Sequence, residues 1–297
     1  MSLRLLAVDL ILRLREKRYL ARETDFPRAR ARMEREAAIF PLPAGALPRE
    51  ASLGRTPALR VDAIAGERVL FWLHGGAYCL GSPRTHVAMV ATLARGAGAA
   101  AALPDYRLAP EHPFPAALED AAAAWAALLA SGAAPNRIAL GGDSAGGGLA
   151  FALLHRLLSE GGPLPAAVVA FSPWVDLTQT APSLRALARR DALIPVRRFA
   201  EIRDQYLGAA DPRDPRASPV FGSFAGGPPA FIQSSRAEVL RDDARALAAR
   251  LAVDGVAVTH DEWARTPHVW QMYHGFLPEA DKALGRAAAF LTSAFTR

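Results

Sequence analysis

Ser144 stands in Gly142-Asp143-Ser144-Ala145-Gly146, a G-x-S-x-G sequence. The apolar run 137–140 leads into it and reads as a buried strand, and 149–154 reads as a helix leaving it. A serine on so sharp a strand-to-helix turn sits in strained backbone and tolerates only small neighbours, which Gly142, Ala145 and Gly146 supply. The turn would project the Ser144 hydroxyl into a cleft at the positive end of the following helix. Such a serine is a candidate nucleophile for acyl transfer, and it then needs a base, an acid and donors for an oxyanion. The rival use of a Gly-rich turn, cradling a phosphate, lacks support. No Lys-Ser/Thr pair follows the glycines and no G-x-G-x-x-G frame is present.

The donors have a candidate in His74-Gly75-Gly76-Ala77-Tyr78, which directly follows the apolar strand 68–73. Glycines there let backbone N–H groups turn toward a cleft with no side chain in the way. Gly75, Gly76 and Ala77, with Ala145 after the nucleophile, are therefore the expected oxyanion donors. Ala77 stands where a third glycine is common but keeps its N–H. His74 is expected to brace the loop rather than act as a base. His268 and His274 are both candidates for the base, and Glu238, Asp242 and Asp243 for the acid. The two aspartates also suit the first turn of a helix, where carboxylates offset the dipole. His86, His112, His155 and His260 read as isolated structural residues, and no H-E-x-x-H or comparable cluster suggests a metal.

These residues need a scaffold, and 297 residues are enough for one large α/β domain or a core with a cap. Hydrophobic residues make up 51% and charged residues 22%, as in ordinary globular enzymes. The net charge of +6 comes from arginines interspersed with acids, without a basic stripe interleaved with aromatics, so a nucleic-acid partner is not expected. Cys79, the single cysteine, forms no intrachain disulfide. The apolar N-terminal run is broken by Arg4, Asp9 and Arg13, and no cleavage-site pattern follows. A cytoplasmic protein without stable membrane insertion is expected.

Apolar spacing predicts an amphipathic helix over 3–20 and a more charged one over 27–39, then a Pro-punctuated linker. Short strands at 51–54 and 57–63 read as an antiparallel edge. Strands and helices then alternate: strands at 68–73, 98–103, 137–141, 166–171, 229–234 and 256–262, and helices at 84–96, 115–131, 241–253 and 279–295. Repeated β-α units imply a mostly parallel central sheet with helices on both faces. The stretch 176–216 carries no strand signal. It interrupts the alternation and is expected to join residues 1–45 as a helical cap over a core made of 46–175 and 217–297.

The chain resembles the bacterial hormone-sensitive-lipase-like esterases, a branch of the α/β-hydrolase fold. The likeness rests on His74-Gly75-Gly76, the Ser144 turn, the segment from Asp105 to Pro115 (Asp-Tyr-Arg-Leu-Ala-Pro-Glu-His-Pro-Phe-Pro), Phe171-Ser172-Pro173-Trp174 and Ala217-Ser218-Pro219. It covers about residues 50–297. The resemblance implies an acid after the strand 229–234, in an Asp-Pro-Leu-x-Asp pattern, and this places Glu238 where aspartate is more usual. It favours His268 over His274, although His-Gly-Phe is a frequent family wording. An aromatic, Trp263, stands five residues before His268, and the interval of 30 residues from Glu238 fits the family. The Tyr106–Glu111 segment is expected to be architectural.

The implied function is a serine carboxylesterase with a Ser144-His268-Glu238 triad, acting without a cofactor on short- to medium-chain acyl esters. A lactone or amide hydrolase with the same triad is the alternative, and a non-catalytic ligand-binding protein on the same fold is a further one. The expected partner is a small-molecule ester, with a homodimer left open.

Overall fold

A computed structural model describes residues 2–61 and 68–296. Eight strands form one sheet: β1 (Pro48–Leu53), β2 (Thr56–Val61), β3 (Val69–Leu73), β4 (Ala100–Pro104), β5 (Ile138–Asp143), β6 (Ala167–Phe171), β7 (Ala230–Ser235) and β8 (Val258–Trp263). Their order is β1-β2-β4-β3-β5-β6-β7-β8. The β1–β2 and β2–β4 pairs are antiparallel, and every pair from β4 to β8 is parallel. The antiparallel edge and parallel centre thus follow the sequence pattern; residues 62 and 63 of the expected second strand lie outside the described residues. Strands β3, β4, β5, β6 and β7 are buried throughout between two helical layers; β3, β4 and β6 are apolar along their length, whereas β5 ends in Asp143 and β7 in Gln233, Ser234 and Ser235.

One layer contains α4 (Pro83–Gly96) and α10 (Pro278–Ala294), whose Val90, Leu93, Leu284 and Leu291 pack on Leu70, Trp72, Val169 and Phe171. The other contains α5 (Ala116–Ala130), α6 (Ser144–Ser159) and α9 (Arg241–Val253), which cover Phe71, Leu73, Leu140, Val168 and Ile232.

Three helical pieces precede the sheet: α1 (Leu3–Ile11), a π-helical turn over Leu12–Glu16 that runs directly into α2 (Lys17–Leu20), and α3 (Phe26–Ala37). Asp25 caps α3 by accepting from the Arg28 N–H, with Pro27 in the first turn, so chain direction and helix start agree. The stretch 176–216 holds only α7 (Pro182–Ala186), a 3₁₀ turn at Val196–Arg198 and α8 (Phe199–Leu207). It meets the N-terminal helices directly. Lys17 Nζ donates to Ala188 O at 2.7 Å and Asp191 O at 2.6 Å. The Arg198 guanidinium donates to Leu20 O and Glu23 O. Among the described residues, no helix is long and apolar enough to cross a membrane.

Candidate active site

Strand β5 delivers Ser144 at its carboxyl end, the edge where open α/β sheets hold their ligands. Ser144 takes φ +52°, a left-handed conformation that costs a non-glycine residue on the order of 1 kcal/mol. Its neighbours must then be small. A Cβ on Gly146 would lie 2.1 Å from Leu73 O and 2.3 Å from His74 O, inside the backbone of the adjacent loop.

His268 follows β8 and is buried. Its Nε2 lies 2.9 Å from Ser144 Oγ and its Nδ1 lies 2.7 Å from Glu238 Oε2. Glu238, also buried, follows β7, and its second oxygen accepts from Ser235 N at 2.7 Å and Ser172 Oγ at 3.0 Å. With Nδ1–H donating to the carboxylate, Nε2 presents a lone pair to the serine hydroxyl. Burial alone would lower the His268 pKa, but the hydrogen bond and charge of Glu238 outweigh it and raise the value above 6.5.

The rival residues are elsewhere. Asp242 accepts from Ser183 N, and buried Asp243 accepts from Val175 N and Asp176 N. Both stand in the first turn of α9, as their helix-start reading anticipated. His274 Nε2 lies 3.0 Å from Pro41 O, a contact with the N-terminal region.

The loop after β3 is held in an unusual conformation. Gly76, Ala77 and Tyr78 take φ of +123°, +55° and +61°. Two bonds secure its base: Tyr106 Oη donates to His74 O at 2.6 Å, and His74 Nδ1 donates to Gly75 O at 2.8 Å. The Tyr106 and His74 rings stack at 4.2 Å. Burial, with His86 nearby, pushes the His74 pKa down to about 3, so this imidazole is neutral and structural.

One donor expectation needs revision. The Gly75 N–H donates to Asp143 Oδ1 at 3.2 Å and is therefore already engaged. The Gly76 and Ala77 N–H groups have no acceptor among the described residues, and Ala145 is the second residue of α6, where the first N–H groups have no intrahelical partner.

Several residues were not singled out in sequence. Ser172, at φ +48°, donates to Glu238 and accepts from Val269 N at 3.3 Å, linking Glu238 to the loop that bears His268. Asp143 accepts from Trp72 Nε1 at 3.0 Å and lies 3.1 Å from His86 Nε2, so His86 is not isolated as its sequence context suggested. Burial would raise the Asp143 pKa, but His86 and Trp72 outweigh it and hold the carboxyl below its ordinary range. Asp191, buried in 176–216, accepts from Val239 N at 2.9 Å and from Leu193 N and Ile194 N. That ties the segment to the residue after Glu238. The hint for Ser172 and Asp143 was position alone: each ends a core strand beside a motif residue.

Comparison with known proteins agrees with this architecture. The profile described as alpha/beta hydrolase fold matches residues 70–272. An acetyl-hydrolase from Streptomyces hygroscopicus is 47% identical over 227 residues, covering 76% of each chain. An esterase from Acinetobacter venetianus is 35% identical, covering 79% of this chain and 81% of its own. Among solved structures, an esterase of the bacterial hormone-sensitive lipase family superposes with a TM-score of 0.94 at 40% identity, covering 99% of both chains. EstE5, solved after soaking with p-nitrophenyl butyrate, gives 0.93 at 36% identity over 100% of both chains. The chain belongs to the α/β-hydrolase family, in its hormone-sensitive-lipase-like esterase branch. It is a carboxylic ester hydrolase.

Proposed function

We propose that the enzyme is a serine carboxylesterase for short- to medium-chain acyl esters, working through Ser144, His268 and Glu238 and a covalent acyl-enzyme. The observation that carries this reading is the unbroken hydrogen-bonded line from Ser144 Oγ through both His268 nitrogens to Glu238. Ser144 Oγ attacks the ester carbonyl carbon while its proton passes to His268 Nε2. Glu238 holds the imidazole in the Nδ1–H form and offsets the imidazolium charge. The N–H groups of Gly76, Ala77 and Ala145 hold the oxyanion, and Gly75 anchors the loop through Asp143. As the tetrahedral intermediate collapses, the ester C–O bond breaks and the leaving alkoxide takes the proton from His268. Water, deprotonated by His268, then attacks the acyl carbon, releasing the acid and restoring Ser144.

Residues 1–45 and 176–216 act in this reading as the cap, over a core of 46–175 and 217–297. Support comes from aromatic contacts between α8 and the site loops: Tyr206 stacks on Tyr78 at 3.7 Å and Phe199 lies 4.9 Å from Trp174. In this reading the ester's apolar acyl group lies between cap and sheet. The preference for short acyl groups is supported by the acetyl-hydrolase relative and by the butyrate ester used with EstE5. A cytoplasmic location is part of the proposal, in keeping with a single buried cysteine rather than a disulfide framework.

A p-nitrophenyl ester series from acetate to decanoate tests the reading, together with a fluorophosphonate probe. Turnover should peak at the short end, and Ser144→Ala should lose both turnover and labelling. Wild-type protein inert to the acetate and butyrate esters and unlabelled by the probe would overturn it.

A further inference from the structure

The helical run 3–18 buries one side and leaves another uncovered. Leu5 packs with Trp270, Leu277, Ala280 and Ala283, and Leu12 is equally buried. Leu3, Leu6, Leu10, Ile11 and Leu14 are each 47–84% exposed. At 100° per residue their positions span an arc of about 140° on one side of the helix. These side chains are not needed to seat the helix. Its buried leucines, the Ser2 contacts with Glu279 and the Lys17 contacts already do that.

Charge identifies the occupant. Arg4, Arg15 and Arg18 are exposed along one margin of the apolar stripe. Arg15 and Arg18 have no ion pair or hydrogen bond among the described residues. The acids of the run are already engaged: Asp9 by Arg13 at 2.6 Å and Glu16 by Arg32 at 2.7 Å. An apolar stripe edged by unpaired cations suits a surface of anionic lipid headgroups over acyl chains. It suits a second copy poorly. Antiparallel pairing of two such faces would set Arg4 of one copy against Arg15 and Arg18 of the second, with no free acid between them.

The face also adjoins the loop that bears His268. Arg4 Nη1 donates to Phe276 O at 3.1 Å, and the half-exposed Phe276 ring packs edge-on against Phe40 at 6.0 Å. We propose that the outward face of residues 3–18 docks the enzyme on an anionic lipid–water interface, as a peripheral contact beside the site. Apolar esters concentrate in such an interface, so docking would bring the histidine loop to where they partition.

The test is flotation of the full-length protein with vesicles of phosphatidylcholine, with and without phosphatidylglycerol. Wild-type protein should float with the anionic vesicles at low salt and dissociate at high salt. The double substitution Leu6→Gln/Leu10→Gln should weaken partitioning about tenfold or more. Arg15→Gln and Arg18→Gln should each weaken it about fivefold, on anionic vesicles only. Turnover of water-soluble p-nitrophenyl acetate should be unchanged in all of them and reports the fold. Should the leucine variant fail that control, the arginine variants, which replace solvated side chains, carry the test. Wild-type protein that stays unbound, or variants that bind as well as wild type, would overturn the proposal. So would a solution dimer that the leucine substitutions dissociate, which would give the face to a second copy.

Discussion

Asp143, the residue before the elbow serine, accepts the Gly75 N–H at 3.2 Å across 68 residues of chain. One buried carboxylate therefore joins the strand that delivers Ser144, the proposed nucleophile, to the loop that offers the proposed oxyanion donors. A Cβ on Gly75 would lie 2.2 Å from its Oδ2, so this approach is open only to glycine. Removing the carboxylate strands the Gly75 and Trp72 N–H groups and leaves His86 Nε2 unpaired. Each buried group left without a partner costs about 1–3 kcal/mol. Asp143→Ala should therefore lose roughly 3–5 kcal/mol in urea unfolding. Its residual turnover should fall in kcat more than in KM, because the loop is displaced and the binding pocket is not. A stable variant with normal kcat would show that the loop holds itself.

The pH dependence follows from His268. The proposed base must be neutral, and Glu238 raises its pKa above 6.5 despite burial. Turnover should therefore fall about tenfold per pH unit on the acid side, with a midpoint above 6.5. Glu238→Gln removes the raising charge and leaves the burial that lowers, so the midpoint should move down while kcat drops by about 10⁴-fold. The same shift bears on stability with a defined sign. A raised folded pKa adds stability that is complete below the unfolded value and disappears as pH rises through the folded one. Rate measurements with p-nitrophenyl acetate between pH 5 and pH 9 check the first claim; a flat acid limb would remove His268 from the mechanism.

The parallel centre and antiparallel edge of the sheet were legible because buried strands appear as continuous apolar runs, as in Val69–Leu73 and Ala167–Phe171. Ser144, His268 and Glu238 were named from motif, spacing and resemblance, and the chain brings them into one hydrogen-bonded line. What stayed hidden depends on tertiary approach. Ser172 and Glu238 are 66 residues apart, and His86 and Asp143 are 57 apart. No local period or spacing reports such a pair. The engaged Gly75 N–H was hidden for the same reason: composition shows that a glycine can turn its N–H toward the cleft, not which acceptor reaches it first.

Asp243 should carry its own pH signature. Burial, against two backbone donors at Val175 and Asp176, pushes its pKa up from 3.8 to about 8. The folded protein then keeps a proton that the unfolded chain releases near pH 4. The resulting stability is complete below that value and is lost as pH rises through about 8. Asp243→Asn retains an oxygen for both N–H groups and cannot ionise. It should lose less stability than wild type between pH 5 and pH 8, so the difference between the two should shift in favour of the variant, by about 1.4 kcal/mol per pH unit at most. Urea titrations at the two pH values decide it; a constant difference would mean that Asp243 is ionised throughout.

Gly146 offers a steric test independent of charge. An added methyl would meet the Leu73 and His74 carbonyl oxygens, both backbone atoms at the root of the proposed oxyanion loop. Neither can rotate away as a side chain would. Gly146→Ala should cost about 3 kcal/mol and push the loop from the elbow, lowering kcat even in the folded fraction. Thermal melts and active-site titration with a fluorophosphonate separate the two effects. Full activity at unchanged melting temperature would show that the elbow has room the backbone geometry denies.

The length of the proposed acid matters. Glu238 spans from β7 to His268 while its other oxygen takes Ser235 N at 2.7 Å and Ser172 Oγ at 3.0 Å. Aspartate, the more usual residue in the resembled family, is one methylene shorter. From the same Cα it can keep the bonds near its own backbone or the bond to His268, but not both at these distances. Glu238→Asp should therefore retain the fold yet lower kcat by about 10- to 100-fold, with KM little changed, because orientation of the base and not ester binding is impaired. Glu238→Gln keeps the length and loses the charge, so it should be the slower of the two if charge matters more than reach. The opposite order, with the aspartate variant slower, would mean that holding the imidazole in place contributes more than offsetting its charge.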